Sequence, residues 1–158
     1  MSITIYTDGS SRGNPGPGGW GAVVVNGNDV QELGGREDHT TNNRMELKGV
    51  IEALNSIDAT DSITLYSDSQ YVIKGITEWI SGWQKKNWKN SQKKDVLNRD
   101  LWEDMLSATS GKNIKWTYVK GHALNKGNNR CDEIATSFAD NDPTILYKGL
   151  LTGYTPLR

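Results

Sequence analysis

The sequence predicts an α/β domain. It has a five-stranded mixed sheet, three antiparallel strands followed by parallel ones, with helices on both faces. Three observations carry this. Apolar and polar residues alternate over three closely spaced runs near the start, as strands do. Two later apolar runs are separated by segments of helical spacing, which makes them parallel neighbours joined by crossovers. Residues 3–10, ITIYTDGS, echo residues 63–70, ITLYSDSQ, and each run stops on an aspartate.

The first three strands are expected at about residues 3–7, 21–25 and 30–35, with Asn26-Gly27 turning the second into the third. Leu47, Val50, Ile51 and Leu54 then recur at helical spacing. A strand at 63–66 follows, then a helix carrying Val72, Ile76, Trp79 and Ile80. A polar, basic connection runs from about 84 to 98, and a helix covers about 99–108. A last strand at 114–119 leads through a loop to a helix at about 128–139. Trp79 and Trp102 are expected in the core, with Trp83 and Trp88 nearer the basic connection. One domain over 1–141 is expected, with a protrusion at about 82–99. The segment 142–158 shows no clear period and receives no role.

Composition narrows the function. The chain has 158 residues and a net charge of −1, so no global basic signature points to nucleic acid. No run of eighteen apolar residues exists, so no membrane partner is expected. No signal-peptide pattern opens the chain. A single cysteine, Cys131, fits a reducing cytosol.

Four acids stand out by placement. Asp8 and Asp68 each end a strand-like run, where sites gather in α/β sheets. Glu46 and Asp132 lie near helix starts, at the borders of apolar faces, while Glu133 points to solvent. Each has an ordinary alternative. Asp8-Gly9 is a turn pair. Ser67-x-x-Gln70 and Asn43-x-x-Glu46 resemble capping boxes, which would put Asp68 in a first helical turn. Together the four favour another reading. Parallel neighbouring strands would bring Asp8 and Asp68 side by side, where carboxylates repel unless something positive lies between them. No Lys or Arg is immediately adjacent to any of the four. A hard cation is the remaining solution, and an oxygen-only set favours Mg²⁺, with Mn²⁺ as the alternative. Two such ions about 4 Å apart serve in-line attack on a phosphodiester, one activating water and one stabilising the leaving oxygen.

Gly82 to Arg99 holds six basic residues against Asp95 alone, with Trp83 and Trp88 interleaved. It reads as a surface that tracks phosphates, or as a solvated loop whose tryptophans pack its base. Lys85, Lys86 and Lys89 are its first lysines. GPGGWG at 16–21 fits a dinucleotide-binding pattern, but it opens no helix and is set aside.

The blocks YTDGSSRGNPGPGGWGAVV, TTNNRMEL, LYSDSQYV and VKGHALNKGNNRCDEIA resemble the four signature blocks of type 1 ribonuclease H. WISGWQKKNWKNSQKKDVLNRDLW resembles the basic protrusion of its bacterial form. The likeness covers about residues 1–140 and implies a ribonuclease H-like fold. It implies an endonuclease that cuts the RNA strand of RNA–DNA hybrids, leaving 5′-phosphate and 3′-hydroxyl ends. By resemblance, Asp8, Glu46, Asp68 and Asp132 match the metal-binding acids, and His122 matches a mobile histidine that helps with proton transfer or product release. Asn14, Thr41, Asn42, Asn43, Gln70 and Asn98 match positions that contact the hybrid, with Asn14 and Thr41 gripping a DNA phosphate. The resemblance also implies a monomer in the cytoplasm. The chain departs from the family at Leu124, where a glycine is common, and Asp95 puts a negative charge in the protrusion. Two other readings stay open: a related-fold DNA nuclease, such as a resolvase or integrase core, and a hybrid-binding module without activity.

Overall fold

The computed structural model describes residues 2–58, 62–120 and 125–158. Strands β1 (Ile3–Ser11), β2 (Gly16–Asn26) and β3 (Asp29–Thr40) form an antiparallel meander. Helix α1 (Asn42–Asn55) leads to β4 (Ser62–Ser67), which pairs parallel with β1. Next come α2 (Gln70–Lys74), a π-helical turn (Gly75–Trp79) and α3 (Ile80–Lys85). The chain continues through α4 (Arg99–Thr109), β5 (Asn113–Tyr118), parallel to β4, and α5 (Lys126–Ala139).

The register of β1 against β4 reproduces the sequence echo residue for residue. Ile3 faces Ile63, Thr4 faces Thr64, Ile5 faces Leu65 and Tyr6 faces Tyr66. Side chains alternate across a sheet, so each matched pair serves the same layer. Ile3, Ile5, Ile63 and Leu65 are buried in a core with Met45, Leu47, Val50 and Leu54 of α1. Tyr6 and Tyr66 stack on the other layer, ring centroids 5.2 Å apart. There Val23, Val30 and Cys131 of α5 close a second core. The sheet is therefore clad on both faces.

Among the described residues the sheet has six strands, in the order β5-β4-β1-β2-β3-β6, one more than the sequence predicts. The extra strand, β6 (Lys148–Leu150), pairs with Asp29–Gln31 at the edge of β3. Three residues are too few to leave a period. Residues 142–158 also carry Tyr154, 2% exposed, into the second core. The clamp beneath is Glu32 of β3, a carboxylate buried to 3% exposure. It accepts from Arg130 Nε (2.7 Å) and Nη2 (3.0 Å), from the Tyr147 N–H (2.9 Å) and from the Tyr154 hydroxyl.

One further sequence expectation is corrected. Trp79 is 38% exposed rather than in the core. The π turn explains it: the Ile80 N–H donates five residues back to Gly75, which inserts an extra residue into the helical phase and turns Ile80 inward instead. Trp102 is fully buried, as expected, and a Cβ on Gly75 would lie 2.0 Å from its ring. Trp88 is only 9% exposed. It packs beside Trp83 (centroids 6.3 Å), and its backbone hydrogen-bonds to Val96 (2.9 Å), so it anchors the protrusion from beneath.

Candidate active site

Asp8 sits in β1 two residues past the last β1–β4 pair, and Asp68 directly follows β4. The caps decide how they stand. Ser69, not Ser67, caps α2 by accepting from the Val72 N–H (3.2 Å), while the Ser67 hydroxyl takes the Ser69 N–H (3.1 Å). Asp68 is thus fixed between strand and helix rather than in a first helical turn. Likewise Thr41, not Asn43, caps α1 through the Arg44 N–H (3.3 Å). Glu46 is freed from capping and turned inward, 8% exposed, deeper than the helix-border position expected of it.

Gly9 makes this depth attainable. A Cβ on Gly9 would lie 2.4 Å from the Glu46 nitrogen and the Met45 carbonyl carbon. The backbone that comes close to Gly9 is therefore that of α1. Gly9→Ala is expected to lower the unfolding free energy by about 1–3 kcal/mol, as overpacking does, by pushing α1 and Glu46 away from β1. Urea denaturation checks this, and a parental midpoint would show that α1 shifts freely.

Asp8, Glu46 and Asp68 each bring one carboxylate oxygen within 4.8 Å of the others. Asp132, half-buried on α5, lines the same cleft of about 360 Å³, together with Ser10, Asn42, Asn43 and Ser69. Burial pushes the Asp8 carboxyl up to about 7, and the Asp68 and Asp132 charges add to the rise against the hydrogen bonds from Glu46 and the Gly9 N–H. Burial also holds Glu46 well above the usual carboxylate range, and Asp8 pushes the same way. This is the signature of acids gathered for a positive charge.

The donor set fits a hard divalent cation. Every donor is an oxygen, and Glu46 Oε1 is buried with no hydrogen-bond partner among the described residues. A cation there would satisfy that oxygen and relieve the repulsion.

The remaining predicted residues divide by position. Asn42 and Asn43 line the cleft. Asn42 Oδ1 accepts from the Ser11 N–H (2.8 Å), and its own N–H donates to Asn14 Oδ1 (3.2 Å), so Asn14 is joined to the start of α1. Gln70 is exposed, 3.5 Å from the Tyr118 hydroxyl. Asn98, left-handed at φ 61°, donates to the Tyr71 hydroxyl (3.1 Å) and accepts from Arg44 (3.3 Å). Lys85 and Lys86 stand exposed, whereas Lys89 is ion-paired to Asp95. His122 and Leu124 lie outside the described residues. Sequence reasoning missed Arg44, which grips Asp100 at 3.0 and 2.8 Å and so ties the start of α1 to that of α4. Residues so far apart in the chain leave no local signal. A larger cleft, about 570 Å³ between Tyr6, Lys126 and Tyr154, is lined by no acidic side chain among the described residues.

Compared with known families, residues 1–140 match the model of RNase H. The chain belongs to the ribonuclease H family. Ribonuclease H of Cyanothece sp. is 54% identical over 138 residues, covering 85% of this chain and 87% of its own. That of Pelobacter propionicus is 49% identical over 133 residues, covering 84% and 82%. Among solved structures, LC9-RNase H1, a type 1 RNase H with the type 2 active-site motif, superposes with a TM-score of 0.82 at 29% identity, over 94% of this chain and 77% of that one. LC11-RNase H1, solved with an RNA/DNA hybrid, shares the fold at a TM-score of 0.65 and 24% identity, over 88% of this chain and 97% of its own. Ribonuclease H membership implies divalent-metal dependence, and the Asp8, Glu46 and Asp68 cluster agrees with it. No helix among the described residues is long and apolar enough to cross a membrane.

Proposed function

We propose that this chain hydrolyses the RNA strand of RNA–DNA hybrids, leaving 5′-phosphate and 3′-hydroxyl ends. The carrying observation is the convergence of Asp8, Glu46 and Asp68 at one sheet edge in a chain of the ribonuclease H family. Asp8, Glu46, Asp68 and Asp132 would hold two Mg²⁺ ions, with Mn²⁺ as a substitute. When bound, such a pair supplies a nucleophile at neutral pH and neutralises the leaving 3′-oxygen. The protein's task is to hold four carboxylates rigidly. Strand ends fix two of them and helices fix the others.

Around them, Asn42, Asn43 and Gln70 offer amides to the hybrid's minor groove, where the 2′-hydroxyl marks RNA. Glu46 accepts a hydrogen bond from that hydroxyl. Asn14 and Thr41 grip a DNA phosphate. Lys85, Lys86 and Lys89 face the backbone from the protrusion, which Trp83 and Trp88 hold in place, and Asn98 supports its return. His122 helps with proton transfer or product release. The catalytic domain spans 1–141 together with the packed 142–158 segment that adds β6 and Tyr154 to it, acts as a monomer and resides in the cytosol.

The test is a labelled RNA–DNA hybrid incubated with and without Mg²⁺, beside single-stranded RNA and duplex DNA. Mg²⁺-dependent cleavage of the hybrid's RNA alone is expected. Cleavage of duplex DNA would favour a resolvase-like or integrase-like nuclease, and binding without products would favour an inactive module.

A further inference from the structure

The pairing of β1 with β4 stops at Tyr6 opposite Tyr66. Asp8 and Asp68 lie just beyond. At that point Asn128, fully buried on the first turns of α5, reaches the sheet. Its Nδ2 donates to the carbonyl of Thr7 at 3.0 Å and lies 3.5 Å from that of Tyr66. Its Oδ1 has no partner among the described residues. Among the described residues, its contacts with the sheet are therefore both made by the amide nitrogen. Gly127 beside it permits the approach, since a Cβ there would lie 2.2 Å from the Tyr6 ring.

We propose that Asn128 is a positioning residue for the metal site: its amide supplies the next rung of the β1–β4 ladder and sets the spacing of the acids beyond it. One amide touches the strand residue before Asp8 and the strand that delivers Asp68. It also stands one helical turn before Asp132, on the same face of α5. Asn128 therefore fixes three acids from three elements in a common frame, although it touches neither metal nor substrate. This rests on the metal-site reading given above.

The test compares Asn128→Ala with Ile134→Val, a cavity-forming change elsewhere on α5. Mg²⁺ and Mn²⁺ affinities are measured by calorimetry, together with kcat, hybrid KM and the metal concentration for half-maximal rate. For Asn128→Ala, metal affinity is expected to fall at least about tenfold, the usual scale for groups that orient ligands. Its kcat is expected to fall with KM changed less than about threefold, and excess metal should restore part of the rate. Ile134→Val should lose stability while keeping its metal affinity. Asn128→Ala with parental metal affinity and kcat would overturn the proposal, as would equal metal-affinity losses in both variants. Should Asn128→Ala not fold, Asn128→Asp, which keeps the volume and removes the amide, is judged by the same outcomes. A parental protein that binds no divalent metal would instead refute the metal-site reading itself.

Discussion

Asp8→Asn is expected to reduce RNA cleavage by at least about 10³-fold and, at the same time, to raise the melting temperature of the metal-free protein. The first effect follows from removing a charge at the centre of the acid cluster, since metal-assisted charge stabilisation is worth several kcal/mol at tenfold per 1.36 kcal/mol. The second follows from burial. Asp8 is 4% exposed, and its carboxyl is pushed up to about 7 from an ordinary 3.8. The folded state therefore holds the proton more tightly than the unfolded state does. The penalty is absent below pH 3.8, grows as pH rises toward 7, and is complete above it, at up to about 4 kcal/mol. Asparagine avoids that penalty, can still accept the Gly9 N–H (2.9 Å in the parent), and can donate to Glu46. The gain in melting temperature should be several degrees at pH 8 and should shrink by pH 5. Mg²⁺ should raise the parental melting temperature and leave the variant's nearly unchanged. Calorimetric scans at the two pH values, with and without Mg²⁺, check this. Surviving cleavage, or a stability gain independent of pH, would contradict it.

Glu32→Ala is expected to be among the most destabilising single changes, at about 3–5 kcal/mol, the range for breaking a buried ion pair from one side. It strands the Arg130 guanidinium, the Tyr154 hydroxyl and the Tyr147 N–H together. Burial alone would raise the Glu32 carboxyl, but the hydrogen bonds from Arg130, Tyr154 and Tyr147 outweigh it and hold the group below its ordinary 4.5. A depressed carboxyl contributes stability above the unfolded value and loses it as pH falls through the folded one. The gap between parent and Glu32→Gln should thus be full above pH 5 and close in more acidic solution. Urea unfolding across that range measures it. Because β6 has only three residues, trypsin should also cut Glu32→Ala at Lys148 well before the parent.

The sheet's first five strands were legible because alternation and helical spacing leave long periodic traces. The echo carried more than expected, giving the β1–β4 register itself. Asp8 and Asp68 were legible because strand ends in α/β sheets converge. What stayed hidden depends on distant partners. Glu32 sits on a strand where an acid suggests solvent, and only Arg130 and the returning tail make its burial tolerable. Asn128 lies at a helix start among other polar residues, and nothing local marks its reach to the sheet. Trp79 was misplaced because a π turn leaves no mark in hydrophobic spacing. Both capping boxes were placed two residues from the true caps, because Ser, Thr and Asn crowd both helix starts.

The placement of α5 also has a consequence for timing. A growing chain makes Asp8, Glu46 and Asp68 long before Asp132, and domains generally fold as units during synthesis. Until the last helix docks, the strand carrying Asp8 has neither its fourth acid nor the amide of Asn128. A ribosome-bound fragment ending before α5 thus carries three of the four acids and lacks the last. On the metal-site reading, nuclease activity is expected to appear only after the last helix has closed on the sheet.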